Sequence, residues 1–234
     1  MRARFTPAIL TIIASAALLP GCRGHAPQAS HTRDLKPQMG PNEILEKFKI
    51  GNQRFLEGKP QYRDDLSDVR RTAAGQTPYA IVLGCIDSRK PAEIIFDKGI
   101  GDIFNARVAG NFVNTDILGS IEFACKVSGS KLILIMGHSD CGAVKAAVDD
   151  VKLGNITPML ANLKPAVASV TQIRGKGASE DKSFVAAVSK QNVLLTMEKI
   201  LHDSPIIREM VENGEVKIVG CMYDLRSGTV EFYD

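Results

Sequence analysis

Tryptophan is absent from this 234-residue chain, and aromatic residues make up only 6% of it. The five cysteines are odd in number and contain no C-x-x-C pair. That argues against a thioredoxin-like redox motif and against a disulfide framework. No apolar run reaches the ~18–20 residues that a membrane-spanning helix requires. Charge of one sign is also missing. Lys and Arg number 29 against 26 Asp and Glu, a net charge of +3, and Arg2 and Arg4 lie in a segment expected to be removed. Such a balance offers no basic excess for nucleic acid and no acidic tail. No internal repeat and no second folded domain is evident. What is present is 44% hydrophobic and 24% charged residues at a mean hydropathy of −0.01, the composition of one globular unit.

The first 21 residues read as an address. Arg2 and Arg4 form a short positive start, residues 5–19 are mostly apolar, and Leu19-Pro20-Gly21-Cys22 follows. A run this short behind a basic start is a secretory signal rather than a spanning helix. Its end resembles a bacterial lipobox, in which Cys22 is lipidated and becomes the new N-terminus; Pro20 is unusual there. The alternative is an ordinary signal peptide or an uncleaved anchor. Residues 22–40 are polar and rich in Pro, Ser, His and Gly, which suits a flexible tether. His25 and His31 read as solvated side chains of that tether. The expected location is the periplasmic side of a bacterial membrane, with the folded domain spanning 41–234.

Within that domain, apolar spacing predicts a helix over 41–57, bent or broken at Gly51, and a short one near 66–71. Continuous apolar runs at 80–85 and 131–136 predict strands buried on both faces. Further strands are expected at 103–108, 216–223 and 229–233, the last two as a hairpin. Helices are expected at 115–127, 141–151, 155–170, 184–202 and from Pro205 to about Glu212. Strands alternating with helices imply an α/β fold: an open, mostly parallel sheet of four parallel strands plus one antiparallel edge strand, flanked by helices. Gly99-Ile100-Gly101 lacks the third glycine and the following helix of a dinucleotide loop, so nucleotide binding is set aside.

Two clusters carry chemistry. Cys85-Ile86-Asp87-Ser88-Arg89 follows the first buried strand, and Gly137-His138-Ser139-Asp140-Cys141-Gly142 follows the third and opens a helix. In open α/β sheets ligands collect beyond the carboxyl ends of strands where connections diverge. Adjacent strand ends lie ~4.8 Å apart, which lets Cys85 and His138 share an ion with Cys141 as third ligand. Two thiolates and one imidazole suit zinc, and three protein ligands leave the fourth position open, the catalytic pattern. Each residue alone has a plainer reading, a buried core thiol or a lone H-x-x-C; the two clusters together are what raises the signal. Cys125 and Cys221 have no such context and read as core thiols. Ser88 reads as a turn residue, because no His is placed to activate it.

These two clusters resemble the paired motifs of the beta-class carbonic anhydrases, and the resemblance extends over 41–234, including Arg107–Asn111 (RVAGN) and Gly51–Phe55 (GNQRF). It implies one zinc per chain on Cys85, His138 and Cys141, an Asp87–Arg89 dyad, and a homodimer built around the site, sometimes paired into a tetramer. The implied reaction is reversible hydration of carbon dioxide to bicarbonate and a proton, by a hydroxide that zinc makes available near neutral pH. Gln76, Phe104 and Gly142 match substrate-contact positions, and Phe123 stands where a Tyr is common, which removes a hydroxyl. Val82 replaces the Trp of a bicarbonate-inhibited subclass, so the chain resembles the plant-like type in which Asp87 pairs with Arg89 and stays off the metal. Two alternatives remain: hydrolysis of carbon disulfide or carbonyl sulfide at the same site, and a non-catalytic zinc-binding lipoprotein.

Overall fold

The computed structural model describes residues 39–233. The expected leader, the lipidation position Cys22, and His25 and His31 of the tether lie outside the described residues. Five strands form one sheet in the order β2-β1-β3-β4-β5. They are β1 (Ala80–Gly84), β2 (Ile103–Arg107), β3 (Leu132–His138), β4 (Lys217–Tyr223) and β5 (Val230–Tyr233). The first four run parallel and β5 is antiparallel to β4, as the alternation of apolar runs and helical segments predicts.

Period-two alternation divides the core. Ala80 and Val82 of β1 share one face with Leu132, Leu134 and Met136 of β3 and with Val219 and Cys221 of β4. Helix α1 (Pro41–Leu56) covers that face with Ile44, Leu45 and Phe48. Ile81, Leu83, Ile133 and Ile135 point the other way, toward Ile121, Val193, Ile200 and Ile207. These come from α4 (Thr115–Glu122), α8 (Lys182–Asp203) and α9 (Pro205–Glu212). Burial on both faces explains why β1 and β3 read as unbroken apolar runs.

Several local expectations change. Gly51 does not break α1, which runs unbroken from Pro41 to Leu56. A Cβ there would stand 1.9 Å from the Phe96 carbonyl oxygen, so the glycine permits close approach of the chain after α3 (Ala92–Ile95). The short helix is α2 (Asp65–Thr72), capped by the Asp64 carboxylate, which accepts from the Ser67 N–H at 3.0 Å. The expected helix 115–127 is α4 followed by a π-helical turn, Phe123–Val127. The expected helix 155–170 is two, α6 (Ile156–Ala161) and α7 (Lys164–Arg174), with Pro165 in the first turn of α7, where a missing N–H costs nothing. Helix α5 (Gly142–Val148) is shorter than expected, and Cys141 is its N-cap rather than part of it. Cys125 and Cys221 are buried in the two apolar faces as core thiols.

Candidate metal centre

Strands β1 and β3 are neighbours, with Gly84 level with Met136. From β1 the chain leaves toward β2, on one side, and from β3 toward β4, on the other. The crevice between their carboxyl ends is thus the point where connections diverge. Cys85 is the first residue beyond β1, and His138 is the last residue of β3 itself, two residues later than the sequence boundary predicts. Asp140 takes a left-handed φ of +57°, which short acidic side chains tolerate. That turn brings Cys141 back to the start of α5.

The ligand atoms of Cys85, His138 and Cys141 lie within 4.8 Å of one another, and all three residues are buried. The His138 Nδ1–H donates to the Ser139 carbonyl at 2.9 Å. Its Nε2 is buried with no hydrogen-bond partner among the described residues. An orphaned imidazole nitrogen costs free energy unless something binds it. Beside two sulfurs, it is the position a metal lone-pair acceptor would fill, so the residues present fit zinc. The sulfurs are coupled. The neighbouring Cys141 thiol lowers the Cys85 thiol against the effect of burial, while Cys85 and burial push Cys141 up.

Asp87 borders the ligands, its Oδ2 lying 4.0 Å from His138 Nδ1. Arg89 grips it in a fork: Nε donates to Oδ1 at 3.0 Å and Nη2 to Oδ2 at 2.7 Å, and the Arg89 backbone N–H adds a third bond to Oδ1 at 3.0 Å. The Arg89 side chain holds the Asp87 carboxyl far below the usual carboxylate range, against a smaller opposing effect of burial. Three contributors escaped the sequence reading. Arg107 donates from Nε to the Cys85 carbonyl at 2.9 Å and from Nη2 to the Asp87 carbonyl, clamping the loop that carries ligand and dyad. The Gly110 N–H donates to Cys85 Sγ at 3.4 Å. The Ser139 carbonyl fixes the His138 tautomer. Arg107 and Gly110 sit in the RVAGN stretch, which was legible as a motif but not as a clamp.

The remaining expected positions do not all join the ligands. Gly142 opens α5 directly after Cys141. Phe104 and Phe123 line a groove of about 630 Å³ with Ile117 and Ser120, beside edge strand β2. Gln76 is exposed in the loop before β1, and Val82 is buried in the sheet.

The family model described as carbonic anhydrase matches residues 80–230. Carbonic anhydrase 2 of Mycobacterium tuberculosis is 36% identical over 199 residues, covering 85% of this chain and 95% of its own. A carbonic anhydrase of Mycolicibacterium smegmatis is 35% identical over 83% of this chain and 94% of its own. Among solved structures, the beta-carbonic anhydrase CcaA superimposes with a TM-score of 0.67 at 25% identity, covering 82% of this chain and 95% of its own. Tetrameric beta-carbonic anhydrases of Sordaria macrospora include one that superimposes with a TM-score of 0.63 at 29% identity, over 70% and 84%. In sequence and in the architecture that carries its metal ligands, the chain belongs to the beta class of the carbonic anhydrases.

Proposed function

We propose that this carbonic anhydrase works through an Asp87–Arg89 pair beside its zinc ligands, as a homodimer held by a lipid on Cys22 outside the cytoplasm. The reaction joins water to carbon dioxide, yields bicarbonate and a proton, and is reversible. Cys85, His138 and Cys141 would hold zinc, whose Lewis acidity would make hydroxide available near neutral pH.

The observation that carries the dyad is the fork on Asp87, set 4.0 Å from His138. A carboxylate held ionised in this way accepts hydrogen bonds and cannot give a proton. Asp87 therefore orients an O–H group of a water in the site so that its lone pair faces carbon dioxide. Arg89 keeps both carboxylate oxygens occupied, which supports a resting state with Asp87 off the metal. The Arg89 side chain is 58% exposed, so the proton leaves on that side to solvent or buffer.

The homodimer is supported by the groove shared by Phe104 and Phe123 and by the exposure of Gln76. In this reading a second copy covers the groove and brings Gln76 to the neighbouring site, while Gly142 borders the substrate beside Cys141. Phe123 contributes apolar surface and no hydroxyl. Export and lipidation are supported by the basic start, the apolar run and Cys22, and the domain then comprises leader 1–21, tether 22–40 and enzyme 41–234.

Stopped-flow hydration of carbon dioxide with a pH indicator tests the reading, with carbon disulfide and carbonyl sulfide as parallel substrates. Turnover of carbon dioxide that a chelator abolishes and zinc restores is expected. An unchanged rate in Asp87→Asn would remove the dyad from the mechanism. A monomer that stays fully active at high dilution would remove the shared site.

A further inference from the structure

Gly110 stands between two partners that the zinc reading does not connect. On its amide side the N–H donates to Cys85 Sγ at 3.4 Å. On its carbonyl side the oxygen accepts from Asn192 Nδ2 at 2.8 Å. Asn192 lies on α8, which carries no metal ligand, and is only 3% exposed. The residue between these bonds must be glycine. Its φ is +85°, and a Cβ would stand 2.8 Å from Leu163. A glycine has the softest backbone of any residue, so the direction of its N–H depends on what holds it. The turn's own bonds, Asn111 N–H to the Val108 carbonyl and Val108 N–H to the Gly84 carbonyl, tie it to β1. Asn192 adds the single described tie from the helical layer, across 82 residues of sequence.

We propose that Asn192 is a positioning residue for the metal: it fixes Gly110 so that the Gly110 N–H points at the Cys85 sulfur and withdraws electron density from that ligand. A thiolate that accepts a hydrogen bond donates less to a metal, which leaves the metal the stronger Lewis acid. Asn192 thereby tunes the centre from a helix outside its ligand set. A buried amide facing a buried carbonyl also satisfies both groups, so its loss leaves the Gly110 carbonyl without this donor. The inference rests on the zinc assignment to Cys85.

Cobalt(II) substituted into the full-length protein reads that sulfur directly, through its thiolate-to-cobalt charge-transfer bands in the near ultraviolet. Asn192→Leu and Asn192→Ala, neither of which can donate to the Gly110 carbonyl, are expected to move these bands to longer wavelength. Far-ultraviolet circular dichroism should be unchanged. Asn52→Leu is the control. Asn52 is a buried asparagine that donates to the Gly228 carbonyl at 3.0 Å, on the face covered by α1. Its loss should lower stability and leave the bands in place. Bands that stay put in whichever Asn192 variant folds, or that move equally in Asn52→Leu, would overturn the proposal. Absence of charge-transfer bands in the parent protein would instead overturn the thiolate ligand set on which it rests.

Discussion

Arg89 is mostly exposed, yet it sets the state of Asp87. Its planar fork occupies both carboxylate oxygens, and in the proposed reading this holds Asp87 off the metal. Arg89→Ala should release Asp87 to swing toward the metal, and kcat/KM for carbon dioxide should fall at least about tenfold, one good charge-assisted contact being worth that much. Arg89→Lys should recover only part of the loss, because an ammonium is a point charge without the fork. Stopped-flow rates for the two variants check this, and equal rates would count against a role for the fork's geometry. Cys141 is the second test at this scale. With three protein ligands, loss of one sulfur leaves too few bonds to hold the ion, so Cys141→Ser should fall well below one zinc per chain by atomic absorption. A variant that keeps a full complement of zinc would exclude Cys141 as a ligand.

Elements in this fold are pinned by a few buried polar groups as well as by apolar burial. Asp97 follows α3 at φ +51°, with its side chain 1% exposed. It binds Arg54 of α1 and Arg63 before α2, and accepts the Gln61 N–H at 3.2 Å. Burial opposes its ionisation, but the bonds from Arg63 and Arg54 prevail and hold its carboxyl below the ordinary range. A carboxylate with a depressed folded-state pKa contributes stability above the unfolded value of about 3.9 and loses it as pH falls through the folded one. Asp97→Asn keeps a residue that tolerates positive φ and should cost about 3 kcal/mol at pH 7, the charge of both arginines being left uncompensated. Urea midpoints at pH 7 and below 4 check it; the gap to the parent should narrow in acid.

The same contrast, between local pattern and distant contact, separates what the sequence reveals from what it hides. The strands and the ligands were legible because the apolar runs at 80–84 and 132–136 lead straight into Cys85 and into the His138–Cys141 segment. Helix α3 was not, since four residues are too short to show a period. Pro165 marks the break between α6 and α7, since proline favours the first turn of a new helix, whereas the π-turn at Phe123 leaves no strong composition signal. Lys90 shows the limit most clearly. Lysines are almost never fully buried, yet this one is 2% exposed, with its ammonium over Gly84 and donating to the Met136 carbonyl at 3.3 Å. Asn192 was silent for a related reason: its partner lies 82 residues away.

For the molecule as a whole, attachment and folding are separable questions. Cys22→Ser should move the protein from the membrane fraction to the soluble one, or leave an unprocessed precursor visible by mass; unchanged fractionation and mass would refute lipidation. The centre of the sheet has a second consequence. Cys85 and His138 meet only when β1 and β3 pair in parallel, after the chain has travelled out to β2 and back through α4. Closing so long an excursion is slow and precedes its reward. On that ground the metal is expected to bind after the core has closed rather than to seed it. Refolding rates should be the same with zinc or with a chelator, whereas stripping zinc should speed unfolding and lower the melting temperature by on the order of 10 °C, as expected for a ligand at about a thousand times its dissociation constant. If the chain crosses the inner membrane unfolded, as the proposed leader implies, its zinc is drawn from the compartment where it folds. Its loading is then set by the metal supply outside the cytoplasm, and the last step of its maturation takes place beside the membrane that holds it.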